Sequence, residues 1–362
     1  MLHLDNDDII ALMPMSEVMS SLRIGYDQLA DRDAAHVPRL ELWSPAEKED
    51  GYHCLGSMAG TTKHFGYSAI RIKSDVIHWP EGKRQEKYAV EPGTFCGFIL
   101  LFATATGEPV ALINDGALQR MRVGGTAGVV ADALANPDAS SVGIIGAGDM
   151  ARAYLEAISL SRSLRSVKVF SPTAANREAF AVEMSEKIGV PVEAVDTAES
   201  AVSDCSIVVT ATNSMVATLR PEWLSAGAYV VNVTRRELST EVVDGVDRVL
   251  QLGEYSIGPG ANVADMEFPQ SGAGAFVAGN ENERARLPWR KNVEQRSFPS
   301  YIDLLSGKVE GRQSKDETIL FVNIGVQGVQ FASVAGQAYE RALQAGRGKS
   351  MNTGQFLQDI RD

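Results

Sequence analysis

Several features that define other protein classes are scarce in this chain of 362 residues. The three cysteines, Cys54, Cys96 and Cys205, are widely separated and form no Cys-x-x-Cys pair. Such usage is typical of reduced thiols in a cytoplasmic protein rather than of a disulfide framework. The five histidines include no His-x-His or His-x-x-x-His pair. The sequence therefore does not predict a tight metal site.

Long apolar runs and an excess of basic charge are missing as well. The apolar run at residues 98–103 is too short to span a bilayer, and the acidic N-terminus lacks the apolar core of a signal peptide. The net charge of −12 argues against nucleic acid or an anionic membrane as the main partner. The length is sufficient for two domains with separate cores.

A glycine motif follows a short apolar run in the middle of the chain. Residues 141–151 read Ser-Val-Gly-Ile-Ile-Gly-Ala-Gly-Asp-Met-Ala, and a helical pattern follows them. This is the dinucleotide fingerprint between a strand and a helix, where glycines permit the tight turn and the approach of a pyrophosphate to the helix N-terminus. The cofactor contacts expected here are Gly146, Gly148, Asp149, Met150 and Ala151.

Strand-like and helical segments alternate after this motif. Runs rich in Val and Ile predict strands at residues 142–146, 167–170, 192–195, 207–212, 229–233 and 248–252. The segments between them predict helices at residues 151–160, 174–188 and 200–202. This alternation implies βαβ units and a doubly wound parallel sheet, so the fold class is α/β with a Rossmann domain.

The first 120 residues predict an antiparallel α+β region instead. An amphipathic helix is expected at residues 10–30, and strands are expected at 39–43, 68–73, 94–102 and 110–113, the last two joined as a hairpin. A long helix is predicted to begin at Asp115, a plausible N-cap, and to end near residue 136. Another is predicted at residues 321–343.

The loop after the second strand of the Rossmann pattern favours NADP over NAD. An acidic residue there would bind the ribose hydroxyls of NAD. Residues 170–177 read Phe-Ser-Pro-Thr-Ala-Ala-Asn-Arg and contain no acid. The hydroxyls of Ser171 and Thr173, with Arg177 nearby, suit a 2′-phosphate better. The alternative is a polar loop in which Thr173 caps the next helix.

Polar residues also end two other predicted strands. Thr210, Thr212 and Asn213 end one strand, and Asn232 lies near the end of another. The carboxyl ends of such strands face the ligand crevice, so these residues are expected to contact the nicotinamide half of the cofactor. An ordinary strand-end turn is the alternative.

Cations in apolar surroundings indicate a site for a substrate carboxylate. Arg71 and Lys73 are two residues apart on a predicted strand and therefore share one face. Arg39 opens another strand, and Arg122 lies on the helix that leads into the Rossmann domain. Convergent cations would clamp a carboxylate, and a desolvated lysine can protonate an imine. For each cation, the alternative is a solvated charge or a structural ion pair.

These motifs, in this order, resemble the ornithine cyclodeaminase/mu-crystallin family. The matching segments are Asn114-Asp-Gly, Arg122-Val-Gly-Gly-Thr-Ala, Gly146-Ala-Gly-Asp-Met-Ala, Val209-Thr-Ala-Thr-Asn, Arg236-Glu-Leu and Gly311-Arg. The resemblance implies an NAD(P)-dependent enzyme, usually a homodimer. It also implies a Rossmann domain at residues 123–315 beside a substrate-binding and dimerisation domain made of residues 1–122 and 316–362.

The resemblance also assigns roles to individual residues. Arg39 and Arg122 match the arginines that bind the substrate carboxylate, and Thr94 matches a threonine that contacts cofactor or substrate. The catalytic lysine of the family falls near Arg71, with Lys73 next on the same face as the residue that takes its role.

The chain departs from the family pattern at several points. The catalytic Asp of cyclodeaminases, in a loop after the strand at 229–233, has no clear counterpart, since Glu237 matches a different position. Gln330 replaces an Asp of the C-terminal helix. Insertions at residues 78–88 and 254–304 are expected to reshape the pocket.

The sequence thus predicts an NAD(P)-dependent oxidoreductase acting on an amino or imino acid, with Lys73 as the proton donor. Imine or ketimine reductases and amino-acid dehydrogenases are the reaction types expected. One alternative is ornithine cyclodeaminase, which converts L-ornithine into L-proline and ammonia with recycled NAD. A third hypothesis is a non-catalytic NADP-binding protein of the mu-crystallin type.

Overall fold

Two β-sheets organise the chain, and the computed structural model describes residues 1–253, 273–276 and 298–360. The larger sheet has ten strands and is mostly antiparallel. Its strands are β1 (Leu2–Leu4), β2 (Ala34–His36), β3 (Leu40–Pro45), β4 (Tyr52–Thr62), β5 (Tyr67–His78), β6 (Glu86–Tyr88), β7 (Cys96–Ala103), β8 (Pro109–Asn114), β15 (Ala273–Phe276) and β17 (Lys349–Ser350). Its main order is β15-β3-β4-β5-β7-β8-β1-β17, with β2 paired to β4 and β6 paired to β5.

The second sheet is parallel and has seven strands. They are β9 (Ser141–Ile145), β10 (Ser166–Phe170), β11 (Val192–Ala194), β12 (Ile207–Thr210), β13 (Tyr229–Asn232), β14 (Arg248–Gln251) and β16 (Ile319–Val322). The order β11-β10-β9-β12-β13-β16-β14 reverses direction between β9 and β12, which is the switch point of a doubly wound sheet. The predicted Rossmann arrangement is confirmed.

Helices connect and cover these sheets. They are α1 (Asn6–Leu12), α2 (Met15–Ala30), α3 (Asp115–Leu134), α4 (Asp149–Ser161), α5 (Ala174–Ile188), α6 (Ala198–Val202), α7 (Thr240–Gly245), α8 (Tyr301–Leu305) and α9 (Gln327–Ala345). None of the helices in the described part of the chain has the length and apolarity that a membrane crossing requires.

Helix α3 joins the two sheets through glycines. A Cβ on Gly124 would overlap the backbone of Ala153 in α4, and a Cβ on Gly128 would lie 2.6 Å from the carbonyl oxygen of Ala157. On the other side, Gly125 faces Leu22 of α2. These glycines let three helices pack at close range, so the start of α3 and the start of α4 keep a fixed relation.

Three predictions about local structure are wrong. The helix expected at residues 10–30 is divided into α1 and α2, because Pro14 cannot continue α1. The helix expected at 321–343 begins as the buried strand β16 and becomes helical only at Gln327, after Gly325 turns the chain with a φ of 125°. Asn114, not Asp115, precedes α3 as its N-cap residue.

The structure also adds detail to the predicted domain boundaries. Strand β16 lies in the parallel sheet, although it falls beyond the predicted boundary at residue 315, because its four buried residues pair with both β13 and β14. Most of the insertion expected at residues 254–304 lies outside the described residues, apart from β15 and residues 298–304.

Candidate functional site

A cavity of about 1030 Å³ lies at the carboxyl edge of the parallel sheet. Its floor is the turn from β9 into α4, where Gly146, Gly148, Asp149 and Met150 line it. Gly146 has a φ of 114°, and a Cβ there would overlap the carbonyl oxygen of Ala211. Glycine is therefore required at this position by both backbone conformation and space.

The helix start beside this turn fits a dinucleotide pyrophosphate. The N-cap residue of α4 is Gly148, which has no side chain to bind the free N–H groups of the first turn. A Cβ on Gly148 would meet nothing within 4 Å, so the space in front of these N–H groups is open. Ala151 is fully buried and contributes to close packing of the helix instead of lining the cavity. Free N–H groups and the helix dipole both favour phosphate oxygens here.

The loop after β10 forms one end of the cavity. Ser171 and Thr173 line it, as does Asn176. Arg177 lies behind this loop, where Nη1 donates to the carbonyl oxygen of Ser171 at 3.0 Å and Nη2 pairs with Asp196. The structure thus places the two predicted hydroxyls at the cavity and places the predicted arginine in support of them.

The loop after β12 is held by a buried carboxyl group that the sequence analysis left without a role. Glu237 is fully buried, accepts a hydrogen bond from the hydroxyl of Thr210 at 2.9 Å, and accepts another from the backbone N–H of Thr212. Burial raises the pKa of Glu237, and these hydrogen bonds oppose that rise. The expectation that Thr210 contacts the cofactor is therefore wrong, because its hydroxyl is bound inside the fold. Thr212 and Asn213, in contrast, line the cavity.

Asn232 does not reach the cavity surface either. The residue is fully buried at the end of β13, and its carbonyl oxygen accepts a hydrogen bond from the hydroxyl of Tyr154 at 3.2 Å. The predicted contact of its side chain with the cofactor is not what the structure shows, because strand pairing with β12 and β16 keeps the side chain inside the fold.

The predicted substrate cations lie on one buried face of the larger sheet. Residues of β5 alternate between buried and half-buried, and Arg71, Lys73 and Asp75 all belong to the buried set. The prediction that Arg71 and Lys73 share a face is confirmed. Asp75 continues the same period of two, so this periodicity could have identified it from the sequence.

Each of these two β5 cations is bound by a carboxylate. Arg71 donates from Nε to Oδ2 of Asp115 at 2.6 Å, at the first residue of α3. Lys73 donates from Nζ to Oδ2 of Asp75 at 2.9 Å. Burial alone would raise the pKa of Asp75, but Lys73 and then Lys87 outweigh burial and lower it. Asp75 therefore stays ionised and holds the buried Lys73 side chain by an ion pair.

Arg122 is held differently, by side-chain amides. Its guanidinium donates from Nη1 to Oε1 of Gln330 and from Nη2 to Oε1 of Gln119 at 2.9 Å, and it lies 5.0 Å from the ring centre of Phe331. Gln330 is oriented by its own donation to Tyr26 at 2.8 Å. Burial, and then repulsion from Arg71, lower the pKa of Arg122, because no carboxylate in the described chain forms an ion pair with it.

The remaining predicted substrate residues lie further out. Arg39 donates to Oε1 of Glu41, which in turn lies 3.9 Å from Nζ of Lys73, so Arg39 belongs to the same charged network. Thr94 is exposed, and its hydroxyl donates to the carbonyl oxygen of Glu91 at 2.7 Å within a turn. A contact of Thr94 with cofactor or substrate stays a prediction.

Residues 78–88, which we call the strap, connect the charged face with the cofactor cavity. The strap leaves β5, makes a short turn at Pro80–Gly82 and returns as β6 beside β5. Between these points its backbone pairs with the loop after β12: the N–H of Gln85 donates to the carbonyl oxygen of Asn213 at 2.9 Å, and the N–H of Met215 donates to that of Lys83 at 2.9 Å. The strap therefore ties the substrate side to the cofactor side.

Comparison with known proteins identifies relatives with this architecture. A family model described as the ornithine cyclodeaminase/mu-crystallin family matches residues 76–346. A Delta(1)-pyrroline-2-carboxylate reductase of Bacillus cereus is 27% identical over 286 residues, which cover 78% of this chain and 81% of the relative.

Two solved structures share the fold over nearly the whole chain. The Delta(1)-pyrroline-2-carboxylate reductase of Thermococcus litoralis, solved with NADH and L-proline, has a TM-score of 0.76 and 24% identity, covering 97% of this chain and 100% of that one. An archaeal alanine dehydrogenase dimer with bound NAD has a TM-score of 0.74 and 21% identity, covering 97% and 98%. Both agree with the predicted two-domain α/β fold.

Proposed function

The chain belongs to the ornithine cyclodeaminase/mu-crystallin family, and we propose that it is an NAD(P)H-dependent reductase that converts 2-imino acids into 2-amino acids. The predicted class, an NAD(P)-dependent oxidoreductase of amino or imino acids, agrees with the names of its relatives. The observation that carries the proposal is the buried row of Arg71, Lys73 and Arg122, joined by the strap to a cavity that fits a dinucleotide.

In this proposal, Arg122 and Arg71 bind the carboxylate of the substrate. Both guanidiniums are buried and lie over the same ring of Phe331, at 5.0 and 5.7 Å, so they converge on one region. A carboxylate placed between them would regain the charge stabilisation that burial removes, and it would be held in one orientation. Arg39 adds positive potential through the network that it shares with Lys73.

Lys73 is the proposed proton donor. When bound, the reduced nicotinamide supplies a hydride to the imine carbon, and the nitrogen must gain one proton for the amine to form. Asp75 holds Nζ of Lys73 in place, and Gly56 leaves room for the lysine stem, since a Cβ there would lie 2.7 Å from Cε of Lys73. A fixed position beside the reacting nitrogen is what general acid catalysis requires of the donor.

The position of Glu237 favours a reductase over a cyclodeaminase. It is the acid that follows β13 most closely, and its carboxyl group is fully buried and bound to Thr210 and Thr212. It therefore cannot take the place of the cyclodeaminase Asp at the cavity. A reductase needs no second acid there, because Lys73 is sufficient as the proton donor.

Four finer assignments belong to the same proposal. The acid-free loop with Ser171 and Thr173 supports NADPH as the preferred cofactor. Leu40, Leu42 and Leu55 are exposed on the outer face of the larger sheet, and covering them by a second copy of the chain would give a homodimer. The division into residues 1–122 and 316–362 against 123–315 also belongs to the proposal, except that β16 joins the Rossmann domain and β15 joins the other domain. A cytoplasmic location completes the proposal.

The proposal is tested by two assays on the purified protein. Delta(1)-pyrroline-2-carboxylate, or 2-oxo acids with ammonium, are supplied with NADPH or NADH, and loss of the reduced cofactor is followed together with formation of the amino acid. In parallel, L-ornithine is supplied without added cofactor, and proline and ammonia are measured. We expect cofactor consumption in the first assay and no proline in the second. Proline and ammonia from ornithine alone would instead establish the cyclodeaminase.

A further inference from the structure

The strap carries a lysine into the space between the substrate cations and the cofactor. Lys87 lies on β6, where it is the cross-strand partner of Ile77. Cross-strand partners project to the same face of a sheet, and Ile77 continues the buried face of β5 that holds Asp75. Lys87 also lines the cofactor cavity and is exposed within it. Its side chain is therefore placed at the junction of the two sites.

The charges at this junction do not balance within the described chain. The cations are Arg39, Arg71, Lys73, Lys87 and Arg122, and the carboxylates beside them are Glu41, Asp75 and Asp115. Ion pairs join Arg39 with Glu41, Arg71 with Asp115, and Lys73 with Asp75.

Two of these cations are left without an ion-pair partner among the residues that the structure describes. Arg122 is bound by the amide oxygens of Gln330 and Gln119 alone. Lys87 is repelled by Lys73, Arg71 and Arg39 and attracted by Asp75, and the structure shows no ion pair of Lys87 with a described carboxylate. An uncompensated pair of cations in a concave site is costly for the fold and is commonly retained to bind an anion.

The protonation of Lys87 responds to these surroundings. Although part of the residue is exposed in the cavity, the surrounding protein atoms, and then repulsion from Lys73, lower the pKa of Lys87 to about 8. A carboxylate that binds beside Lys87 would raise this pKa again and would be bound in return.

We propose that Lys87 binds a second carboxylate of the substrate, so that the preferred substrate is a dicarboxylic 2-imino acid. Arg122 and Arg71 hold the carboxylate next to the imine, and Lys87 holds the distal one from the strap. This inference rests on the proposed reductase for its reaction, but the recognition of a diacid is a binding property that can be measured without turnover.

Two matched pairs of 2-oxo acids test the inference on the full chain with ammonium and NADPH or NADH. 2-Oxoglutarate is compared with 2-oxovalerate, and oxaloacetate is compared with 2-oxobutyrate. In each pair the first acid has a distal carboxylate where the second has a methyl group. We expect kcat/KM to be about tenfold or more higher for the diacid of at least one pair. In Lys87→Met we expect kcat/KM for the diacid to fall to about that for the monoacid, while kcat/KM for the monoacid changes less than about twofold. Lys87→Arg is expected to retain the preference for the diacid.

Controls separate recognition of the substrate from other roles. Lys63→Met removes an exposed lysine that forms an ion pair with Asp33. This variant is expected to change kcat/KM neither for the diacid nor for the monoacid. NADPH affinity, measured by fluorescence, is expected to be unchanged in Lys87→Met. A loss of NADPH affinity would show that Lys87 holds a cofactor phosphate and would overturn the inference, as would an equal loss for monoacid and diacid.

Calorimetry makes the outcome independent of the reaction. Binding of 2-oxoglutarate and of 2-oxovalerate to the cofactor-loaded protein is measured without ammonium. Tighter binding of the diacid that depends on Lys87 supports the inference even if no reduction occurs, whereas equal binding overturns it. From pH 7 to 9 the preference is expected to fall in the wild type, as Lys87 loses its proton, and to stay constant in Lys87→Arg, because arginine stays charged.

Discussion

The two halves of the site are built from different materials. The glycine turn of the cofactor cavity presents backbone groups: the turn itself at Gly146 and an uncapped helix start at Gly148. The charged face of the larger sheet consists of side chains, several of them held in ion pairs, as in Arg71 with Asp115 and Lys73 with Asp75.

This difference determines how each half can fail. A site made of backbone groups depends on space, so it is broken by adding atoms. A site made of side-chain charges depends on compensation, so it is broken by removing a charge, and the partner left behind adds to the cost. Glycine turns of this kind are common to many dinucleotide-binding proteins, so in our proposal it is the charged face that selects the substrate.

The largest effect is expected from adding one methyl group at the glycine turn of the cofactor cavity. In Gly146→Ala, the new Cβ overlaps the carbonyl oxygen of Ala211, and the φ of 114° is unfavourable for alanine. We expect a loss of about 2–4 kcal/mol in the free energy of unfolding and loss of measurable NADPH binding. Urea unfolding and fluorescence titration measure the two effects.

Gly148→Ala is the matched control for Gly146→Ala. A Cβ at Gly148 meets nothing within 4 Å, and its φ is −89°, so the fold is expected to keep its stability. Any loss of cofactor affinity in this variant then reports on the approach of the pyrophosphate alone. Equal destabilisation of both variants would contradict the difference that the structure draws between these two glycines.

Six of the seven strands of the parallel sheet were predictable from the sequence to within a few residues, because they form short Val- and Ile-rich runs, which are typical of strands buried on both faces. The seventh, β16, was predicted as the start of the following helix. Strand β4 was missed, since Gly56 and Gly60 interrupt its pattern. Their small size is required by neighbours remote in sequence: Lys73 lies over Gly56, and the backbone of Gly328 in α9 lies against Gly60. Local patterns do not contain such contacts.

The site shows the same limit. Arg71, Lys73 and Arg122 were found because cations are unusual in apolar runs, and Asp75 could have been found by the same periodicity. Thr210 and Asn232 were assigned to the cofactor from their positions at strand ends, but the direction of a side chain there depends on Glu237 and on strand pairing. The place of Lys87 depends on the register of β6 against β5, which no local pattern encodes.

A smaller but selective effect is expected from removing a charge on the charged face. Arg122→Met leaves the amide oxygens of Gln330 and Gln119 without their donor and removes one carboxylate clamp. We expect kcat/KM to fall about 100-fold or more, by loss of about 3 kcal/mol of binding to the carboxylate, with NADPH affinity unchanged. Steady-state kinetics and fluorescence titration separate these two quantities.

Arg120→Met is the matched control, because Arg120 lies two residues away on α3 and lines a different, smaller cavity. Its kcat/KM is expected to stay within about twofold of the wild type. If Arg122→Met lowered the rate by only a few fold while destabilising the fold, Arg122 would be a structural partner of Gln330 and not a clamp for the substrate.

The smallest expected effect concerns Arg177, a charged side chain behind the loop that follows β10. Arg177 donates to the carbonyl oxygen of Ser171 and pairs with Asp196, whose side chain is 90% exposed. An exposed ion pair contributes little to the free energy of unfolding. A 2′-phosphate can therefore replace Asp196 as the partner of Arg177 with little loss of stability. In Arg177→Met we therefore expect NADPH affinity to fall about five- to tenfold, a loss of about 1 kcal/mol, with NADH affinity unchanged.

Arg165→Met, which removes an exposed arginine just before β10 begins, should alter neither affinity. Equal losses for NADPH and NADH in Arg177→Met would assign Arg177 to the support of the Ser171 loop alone, and the cofactor cavity would then select its ligand by backbone shape without the help of charge.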